Sequence, residues 1–140
     1  MNPISLIKQY EGYKSCAYKD CAGVWTCGYG STGCDVYEDT VWTQDYAESR
    51  LATHIKQLES YLNTLITVRL TDNQRTALLS LIYNIGIGAF SKSTLRKYIN
   101  AEKDKDSIKE QWMRWNKAGG KVVNGLTARR VKEWEVYDGE

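Results

Sequence analysis

The chain has 140 residues, of which 42% are hydrophobic and 26% are charged, values typical of one globular domain that needs neither a metal nor a disulfide simply to fold. Its 19 basic and 17 acidic residues are spread along the chain and leave a net charge of +2. This balance lacks the basic footprint of a nucleic-acid-binding protein, so we expect no nucleic-acid partner.

No apolar run approaches the length that spans a bilayer. The opening "MNPISLIKQYEG" also lacks the basic region, long apolar region and cleavage site of a signal peptide. The sequence therefore predicts no export signal and no stable membrane anchor in this chain. A natural signal-anchor segment ahead of Met1, removed from this sequence, is the alternative.

The first third of the chain predicts one short helix and then strands. Asn2 and Pro3 have the residue types of an N-cap and a first helical position, and the helix runs to Gly12, so Glu11 lies at its C-terminal end. From Lys14 to about Gly33, runs rich in Tyr, Val, Trp and Thr are broken by Asp and Gly. This alternation predicts a small three-stranded sheet of hairpins.

The remainder predicts helices. Apolar residues at three- and four-residue spacing from Thr43 to Leu65 indicate a long amphipathic helix. A capping box at "TDNQ", residues 71–74, begins a central core helix that ends at Gly86. Two further helical segments, a Gly-rich loop and a final helix from about Leu126 to Tyr137 follow.

Strands gathered at one end and helices elsewhere predict a single α+β domain over residues 1–140. We expect two lobes joined by the long helix: a small β-containing lobe of about residues 12–60, and a larger helical lobe of about residues 1–11 and 61–140. A cleft between such lobes would suit an extended ligand.

The histidine and cysteine content excludes several kinds of site. His54 is the one histidine, which argues against Ser-His-Asp, Cys-His and zinc hydrolases, and we expect it to be a packed or surface residue. The four cysteines lack C-x2-C spacing, so we expect no metal and no cofactor. Free thiols and one or two disulfides both stay open, with Cys27–Cys34 favoured over a bridge between Cys16 and Cys27, and Cys21 the fourth candidate.

With histidine-dependent and metal-dependent hydrolysis disfavoured, two carboxylates and a threonine are the candidate catalytic residues. Glu11 lies at a helix C-terminus among the aromatic residues of "YEGY", which favours a protonated acid. Asp20 lies on a hairpin shoulder among polar neighbours, which favours the ionised form. Thr26, on the next strand, can orient a water. Two carboxyl groups in opposed environments are what glycoside hydrolysis requires.

Glu11, Asp20 and Thr26, spaced by eight and five intervening residues and followed by "GYGSTG", resemble the signature of the phage-type lysozymes, glycoside hydrolase family 24. The resemblance extends through "ALLSLIYNIGIGAFSKSTLRKYIN" and "MRWNKAGGKVVNGLTARRVKEWEVY", and so covers nearly the whole chain. It implies a two-lobed α+β muramidase that cleaves the β-1,4 bond between N-acetylmuramic acid and N-acetylglucosamine. Glu11 would be the proton donor, Asp20 the second catalytic carboxylate, and Thr26 the residue that positions the water.

The same resemblance implies further features of the site. Relatives like the T-even phage lysozymes invert the anomeric centre, which predicts carboxyl groups about 6.5–9.5 Å apart. Arg129 and Arg130 resemble a terminal basic pair, which we assign to an ion pair with an acid. Substrate contacts are expected from both lobes, at Gly30, Ser31, Tyr83, Asn84 and Ser93.

The resemblance also implies a biological setting. Bacterial peptidoglycan would be the partner of a monomeric phage endolysin, which waits in the host cytoplasm for holin release and acts in the periplasm and cell wall. We hypothesise that hairpin disulfides form there and stiffen the catalytic lobe. The alternatives are a catalytically silent peptidoglycan-binding module, and a lytic transglycosylase or chitinase that uses Glu11 alone.

Overall fold

A computed structural model describes residues 2–139 of the chain. Within that range the helices and strands follow one another as α1 (Pro3–Glu11), β1 (Lys14–Lys19), β2 (Trp25–Gly28), α2 (Gln44–Leu65), α3 (Asp72–Ile85), α4 (Ile87–Ser91), α5 (Thr94–Asn100), α6 (Lys105–Met113), β3 (Lys117–Ala118), β4 (Lys121–Val122) and α7 (Asn124–Asp138). Helices and small antiparallel sheets confirm the predicted α+β class.

The sheet near the N-terminus is smaller than the sequence predicts. β1 and β2 form a two-stranded antiparallel hairpin in which Tyr18 lies opposite Thr26. In place of the predicted third strand, two isolated bridges join Cys27 to Ser31 and Cys16 to Val41. Because the positive φ angles of Gly28 and Gly30 turn the backbone away from extended geometry, the strand cannot continue. The β3–β4 hairpin lies where the sequence indicated a loop.

The chain divides into two compact units. The first, which we call the hairpin unit, is Ile4–Gln57; the second, the helical unit, contains the described residues from Leu58 onward and those before Ile4. The boundary therefore falls inside α2. Most of α1 belongs to the hairpin unit, whereas the sequence analysis placed residues 1–11 in the helical lobe. The reason is local packing: Leu6 and Ile7 are fully buried, and the Lys8 ammonium pairs with Glu48 of α2.

The hairpin unit is built on close contact between a glycine and α2. An added Cβ at Gly28 would lie 2.9 Å from the Ala47 side chain and 3.0 Å from the Trp42 ring. The Tyr13 hydroxyl, just before β1, donates to the Trp42 carbonyl at 2.6 Å and so ties the start of the hairpin to the same point. A side chain at Gly28 would separate these elements, so this glycine fixes the hairpin against the start of α2.

The helical unit is built around α3, and its predicted start is confirmed. Thr71 accepts from the Gln74 N–H at 3.1 Å while the Gln74 side chain accepts from the Thr71 N–H at 2.9 Å, a complete capping box. Every residue from Thr76 to Ile82 is buried, and α3 packs chiefly against α7. Burial on all sides explains why the apolar pattern of α3 is nearly continuous.

The predicted ion pair of the C-terminal arginines is confirmed, with Glu133 as the acid. Arg130 Nε lies 2.7 Å from Glu133 Oε1, and Arg129 Nε lies 3.3 Å from Oε2. The Ser80 hydroxyl of α3 donates to Glu133 Oε2 at 2.5 Å. All four side chains are buried, so the charges of the two arginines and Glu133 are paired within the protein, and the cluster holds α7 to α3.

Candidate active site

Glu11 is the last residue of α1, and its half-buried carboxyl group rests against Gly30. A Cβ built on Gly30 would lie 2.4 Å from Glu11 Oε1 and 3.1 Å from its Cδ. The φ angle of Gly30 is +79°, which also favours glycine. The Glu11 carboxyl group therefore occupies the space that any other residue at position 30 would fill.

Asp20 is held by the turn between β1 and β2. Its Oδ1 accepts from the backbone N–H groups of Ala22 and Val24, at 2.8 and 2.9 Å. Its own N–H donates to the Val24 carbonyl, and its carbonyl accepts from Gly23. Among residues 2–139, Oδ2 has no hydrogen-bond partner. The turn thus fixes the carboxylate through one oxygen and leaves the other able to accept a proton from a water.

Thr26 is 4% exposed on β2, and its hydroxyl donates to the Val24 carbonyl at 2.9 Å. That bond uses the only proton of the hydroxyl group. The oxygen can still accept, so Thr26 can orient a water only by accepting one of its hydrogens. This limits how Thr26 could perform the role that the sequence analysis assigned to it.

Tyr18 is a residue of this region that the sequence analysis missed. Burial raises the pKa of its phenol, and the negative charges of Glu11 and Asp20 raise it further. The hydroxyl therefore keeps its proton at neutral pH and lies within the field of both carboxylates. Strand alternation was the available signal, because Tyr18 and Asp20 are two residues apart and Tyr18 is paired with Thr26.

Ser31 follows Gly30, and its hydroxyl is unusual for a buried group. The residue is 3% exposed, and its Oγ has no hydrogen-bond partner in the part of the chain that the structure describes. Its backbone is well held, since Ser31 and Cys27 exchange two N–H to carbonyl bonds of 2.9 Å. A buried hydroxyl without a partner costs about 1–3 kcal/mol, so a water or ligand atom would bind there favourably.

The cysteines are free thiols, so of the two alternatives left open the structure has the reduced one, and the Cys27–Cys34 pairing is absent. Cys27 is fully buried, and its thiol donates to the Ser15 carbonyl at 3.5 Å, whereas Cys16, Cys21 and Cys34 are exposed. Burial raises the pKa of the Cys27 thiol, which keeps it protonated and unreactive. Cys27 therefore acts as a core residue of the hairpin unit.

His54 lies half-buried on α2, as expected of a packed residue. Burial lowers its pKa, and the nearby Arg50 cation lowers it further, so the imidazole is neutral at neutral pH. Within residues 2–139, no group of three or more His, Cys, Asp or Glu side chains is placed to hold a metal ion. Over the same residues no helix is long and apolar enough to cross a membrane.

The remaining expected substrate contacts belong to the helical unit. Tyr83 is half-buried and Asn84 exposed near the C-terminal end of α3. Ser93 is buried, and its hydroxyl both donates to the Phe90 carbonyl at 2.7 Å and accepts from the Arg96 N–H at 3.0 Å. That hydroxyl is the N-cap of α5, which accounts for Ser93 structurally; contact of these three residues with a substrate stays a prediction.

Comparison with known proteins gives consistent matches over most of the chain. The family model "Phage lysozyme" matches residues 8–133. An endolysin of Acyrthosiphon pisum secondary endosymbiont phage 1 is 42% identical over 137 residues, covering 95% of this chain and 92% of the relative. An endolysin of Bacillus phage B103 is 39% identical over 136 residues, covering 96% of this chain and 51% of the relative.

A solved structure agrees with these matches. The endolysin from Escherichia coli O157:H7 phage FAHEc1 superposes with a TM-score of 0.84 at 36% identity, covering 97% of this chain and 90% of that chain. The chain spans about half the length of the Bacillus phage relatives that it matches.

Proposed function

Since the chain belongs to the phage lysozyme family, we propose that it is a muramidase that hydrolyses the β-1,4 bond between N-acetylmuramic acid and N-acetylglucosamine in bacterial peptidoglycan. The observation that carries this proposal is that the hairpin unit holds two carboxyl groups in different ways. Glu11 is packed against Gly30, and Asp20 is fixed through one oxygen with the other left open. Glycoside hydrolysis needs one carboxyl group as acid and a second as base or nucleophile.

We assign the general acid to Glu11 and the general base to Asp20. Glu11 gives its proton to the glycosidic oxygen as the bond to the anomeric carbon breaks. A water attacks that carbon from the opposite face and passes a proton to Asp20 Oδ2. The second hydrogen stays on the attacking oxygen and donates a hydrogen bond to the Thr26 oxygen, since the Thr26 hydroxyl itself donates to the Val24 carbonyl. Each turnover moves one proton from Glu11 to Asp20, and exchange with solvent restores both groups.

This assignment predicts inversion at the anomeric carbon, because Asp20 acts through a water and forms no covalent intermediate. The substrate contacts that we propose are Gly30 and Ser31 in the hairpin unit, and Tyr83, Asn84 and Ser93 in the helical unit. The buried Ser31 hydroxyl, which has no hydrogen-bond partner within residues 2–139, supports its place among them. We propose that the protein acts as a monomeric phage endolysin on the host cell wall, after release from the host cytoplasm.

The test is digestion of purified peptidoglycan with the wild-type protein, the Glu11→Gln variant and the Glu38→Gln variant. Glu38 is an exposed acid of the same unit, so its variant is a matched control for loss of one carboxylate. We expect new muramic acid reducing ends from the wild type and control, and a loss of about 10²–10⁴-fold in rate for Glu11→Gln. NMR of early products should show the α-anomer.

Other products would contradict the assignment. A 1,6-anhydro sugar would indicate a lytic transglycosylase, and β-anomers would indicate a retaining mechanism. Binding to peptidoglycan without any new reducing ends would indicate a silent binding module. Unchanged lysis by Glu11→Gln would show that Glu11 is not the general acid.

A further inference from the structure

The helical unit contains a pocket where the ends of three helices meet. It lies between the start of α3, the start of α6 and the end of α7, and its volume is about 330 Å³. Its lining residues include Gln74, Lys103, Ile108, Trp134, Tyr137 and Asp138. Gln74 precedes Asn84, a proposed substrate contact, by ten residues of α3, or about 15 Å along the helix axis. The pocket is therefore separate from that contact.

The floor of the pocket is apolar but carries two polar atoms. Ile108, Trp134 and Tyr137 are buried, at 7%, 6% and 8% exposed. Among residues 2–139, neither the Trp134 indole N–H nor the Tyr137 hydroxyl has a hydrogen-bond partner. The described polar atoms that are fully enclosed without a partner belong to other residues, so these two atoms reach solvent. Since both side chains line the pocket, they reach it there.

Both atoms can donate a hydrogen bond to a ligand. The indole nitrogen of Trp134 is a donor only. Burial raises the pKa of the Tyr137 phenol, so the hydroxyl keeps its proton at neutral pH and can both donate and accept. A polar group that stays unpaired in a buried position destabilises the protein, so a ligand that accepts from these donors would bind favourably.

The rim of the pocket adds donors and one carboxylate. The Gln74 side-chain oxygen accepts from the Thr71 N–H, which fixes the side chain, and its amide NH₂ group has no partner among the described residues. Lys103 is exposed and forms no ion pair within that range. Asp138 pairs with Lys105 at 2.7 Å, so its charge is neutralised while its carboxylate can still accept from a hydroxyl. Donors and an acceptor around an apolar floor suit a ligand rich in hydroxyl and amide groups.

The floor is held in place by an aromatic cluster. The rings of Trp134 and Tyr137 stack with their centroids 5.2 Å apart and an angle of 23° between their planes. The fully buried Trp112 of α6 packs against both rings, at 5.8 and 5.0 Å. Because these rings are fixed by one another in the interior of the unit, a ligand would bind with little reordering of the protein.

We propose that this pocket binds one N-acetylhexosamine residue of a peptidoglycan glycan strand, at a site separate from the residues assigned to cleavage. The acetamido carbonyl of the sugar accepts from the Trp134 indole N–H, and the acetamido methyl group packs on Ile108. The sugar hydroxyls bond Tyr137 and Asp138. Small-molecule pockets range over about 300–1,000 Å³, so this volume fits one sugar and not several.

The inference rests on the proposed function, because it assigns a second contact with the same polymer. A sugar contact outside the cleavage site keeps the enzyme on an insoluble strand between one cleavage and the next. The second binding event is then intramolecular, so even a weak site raises the local concentration of substrate.

Titration of N-acetylglucosamine into the whole wild-type protein tests the pocket directly. The Ile108 methyl NMR signal should shift and saturate, whereas glucosamine, which lacks the acetyl group, should leave it unchanged. Trp134→Phe and Tyr137→Phe each remove one polar group and keep an aromatic ring, and each should raise the Kd about three- to tenfold. Trp112→Phe removes an indole N–H from the same cluster outside the pocket lining, and should leave the Kd unchanged.

Several outcomes of this titration would overturn the sugar site. The first is no shift of the Ile108 signal, or equal shifts with glucosamine. Equal weakening by Trp112→Phe would show that packing of the cluster matters and the two polar atoms do not. A shift with inorganic phosphate but not with the sugar, lost in Lys103→Gln, would make the pocket an anion site. If Trp134→Phe does not fold, Tyr137→Phe alone decides.

A kinetic measurement separates this inference from the proposed function. On insoluble peptidoglycan, Tyr137→Phe should raise KM about three- to tenfold and leave kcat unchanged. On soluble glycan fragments of four sugars, which fill the cleavage site alone, both values should equal those of the wild type. An unchanged KM on the insoluble polymer would overturn the role of the pocket. If the wild type cleaves neither substrate, the proposed function fails while the titration still decides the pocket.

Discussion

The hairpin unit and the helical unit each hold a carboxylate by several hydrogen bonds, but they hold it differently. In the hairpin unit, Asp20 Oδ1 is bonded twice by the turn, and Oδ2 has no partner among the described residues. In the helical unit, Glu133 Oε2 accepts hydrogen bonds from Ser80, Arg129 and Arg130, and Oε1 lies in an ion pair 2.7 Å from Arg130 Nε. Asp20 is half-buried and Glu133 is fully buried.

The difference separates two uses of an acid. A buried carboxylate whose bonds are all made inside the protein contributes to the fold, and it has no capacity left for a proton or a water. A carboxylate held through one oxygen keeps its orientation and its reactivity together. By this criterion Glu133 supports the structure, whereas Asp20 has the open oxygen that the base we propose requires.

Asp20→Asn gives the largest expected effect on activity. Asparagine keeps the Oδ1 acceptor that the turn needs, but its nitrogen cannot take a proton from a water. We expect kcat for reducing-end release to fall about 10²–10⁴-fold, with a thermal unfolding midpoint close to wild type. Retained activity would show that Asp20 is not the base. A parallel loss of stability would place Asp20 with Glu133 as a structural acid.

Glu133→Gln should give the opposite result. It leaves Arg129 and Arg130 buried beside a neutral side chain, which should lower the free energy of unfolding by about 3–5 kcal/mol. Activity per folded molecule should stay at the wild-type level. Chemical denaturation measures this, with Glu135→Gln, an exposed acid on the same helix, as the control that should change stability by less than about 0.5 kcal/mol. A small change in the free energy of unfolding for Glu133→Gln would contradict the structural role that we assign to Glu133.

Gly30→Ala tests whether the Glu11 carboxyl depends on the glycine. Gly120 has the same φ of +79°, but no atom of the described residues lies within 4 Å of an added Cβ there. Gly120→Ala therefore introduces the same backbone strain without a steric contact. Both variants should lose about 1–2 kcal/mol of stability. Only Gly30→Ala should also lose activity, about 10²-fold, because it displaces the acid. Equal activities, measured at a temperature where both are folded, would contradict the role of Gly30.

Much of the fold could be predicted from local sequence patterns, whereas the geometry of the candidate site depends on contacts between residues far apart in sequence. The capping box at Thr71 and the stop at Gly86 were predicted because caps follow rules that act over a few residues. The acid partner for Arg129 and Arg130 was expected from the resemblance to the phage-type lysozymes. The contact of Glu11 with Gly30 joins residues far apart in sequence, and only the backbone angles of the Gly28–Gly30 turn create it.

The smallest expected effect is a change in the pKa of Tyr18. Because the negative charges of Glu11 and Asp20 raise it, Glu11→Gln and Asp20→Asn should each lower it toward the ordinary tyrosine value. Asp39→Asn, which removes an exposed acid of the same unit, should leave it unchanged. Titration of the Tyr18 ring carbon by NMR measures this. If only one of the two variants moves the pKa, the phenol does not face both carboxylates.

The sequence by itself determined the α+β class, the positions of the long helices and the residue types that could act as acid and base. These follow from the period of the apolar residues, from capping chemistry and from the shortage of histidine, all of which are local or compositional. The tertiary structure decided which polar atoms stay available for a ligand. Among the described residues, Asp20 Oδ2 and Ser31 Oγ have no hydrogen-bond partner, whereas the hydroxyls of Thr26 and Ser93 donate to backbone carbonyls. Such hydrogen bonds depend on where the folded backbone places each donor and acceptor, which no local pattern specifies.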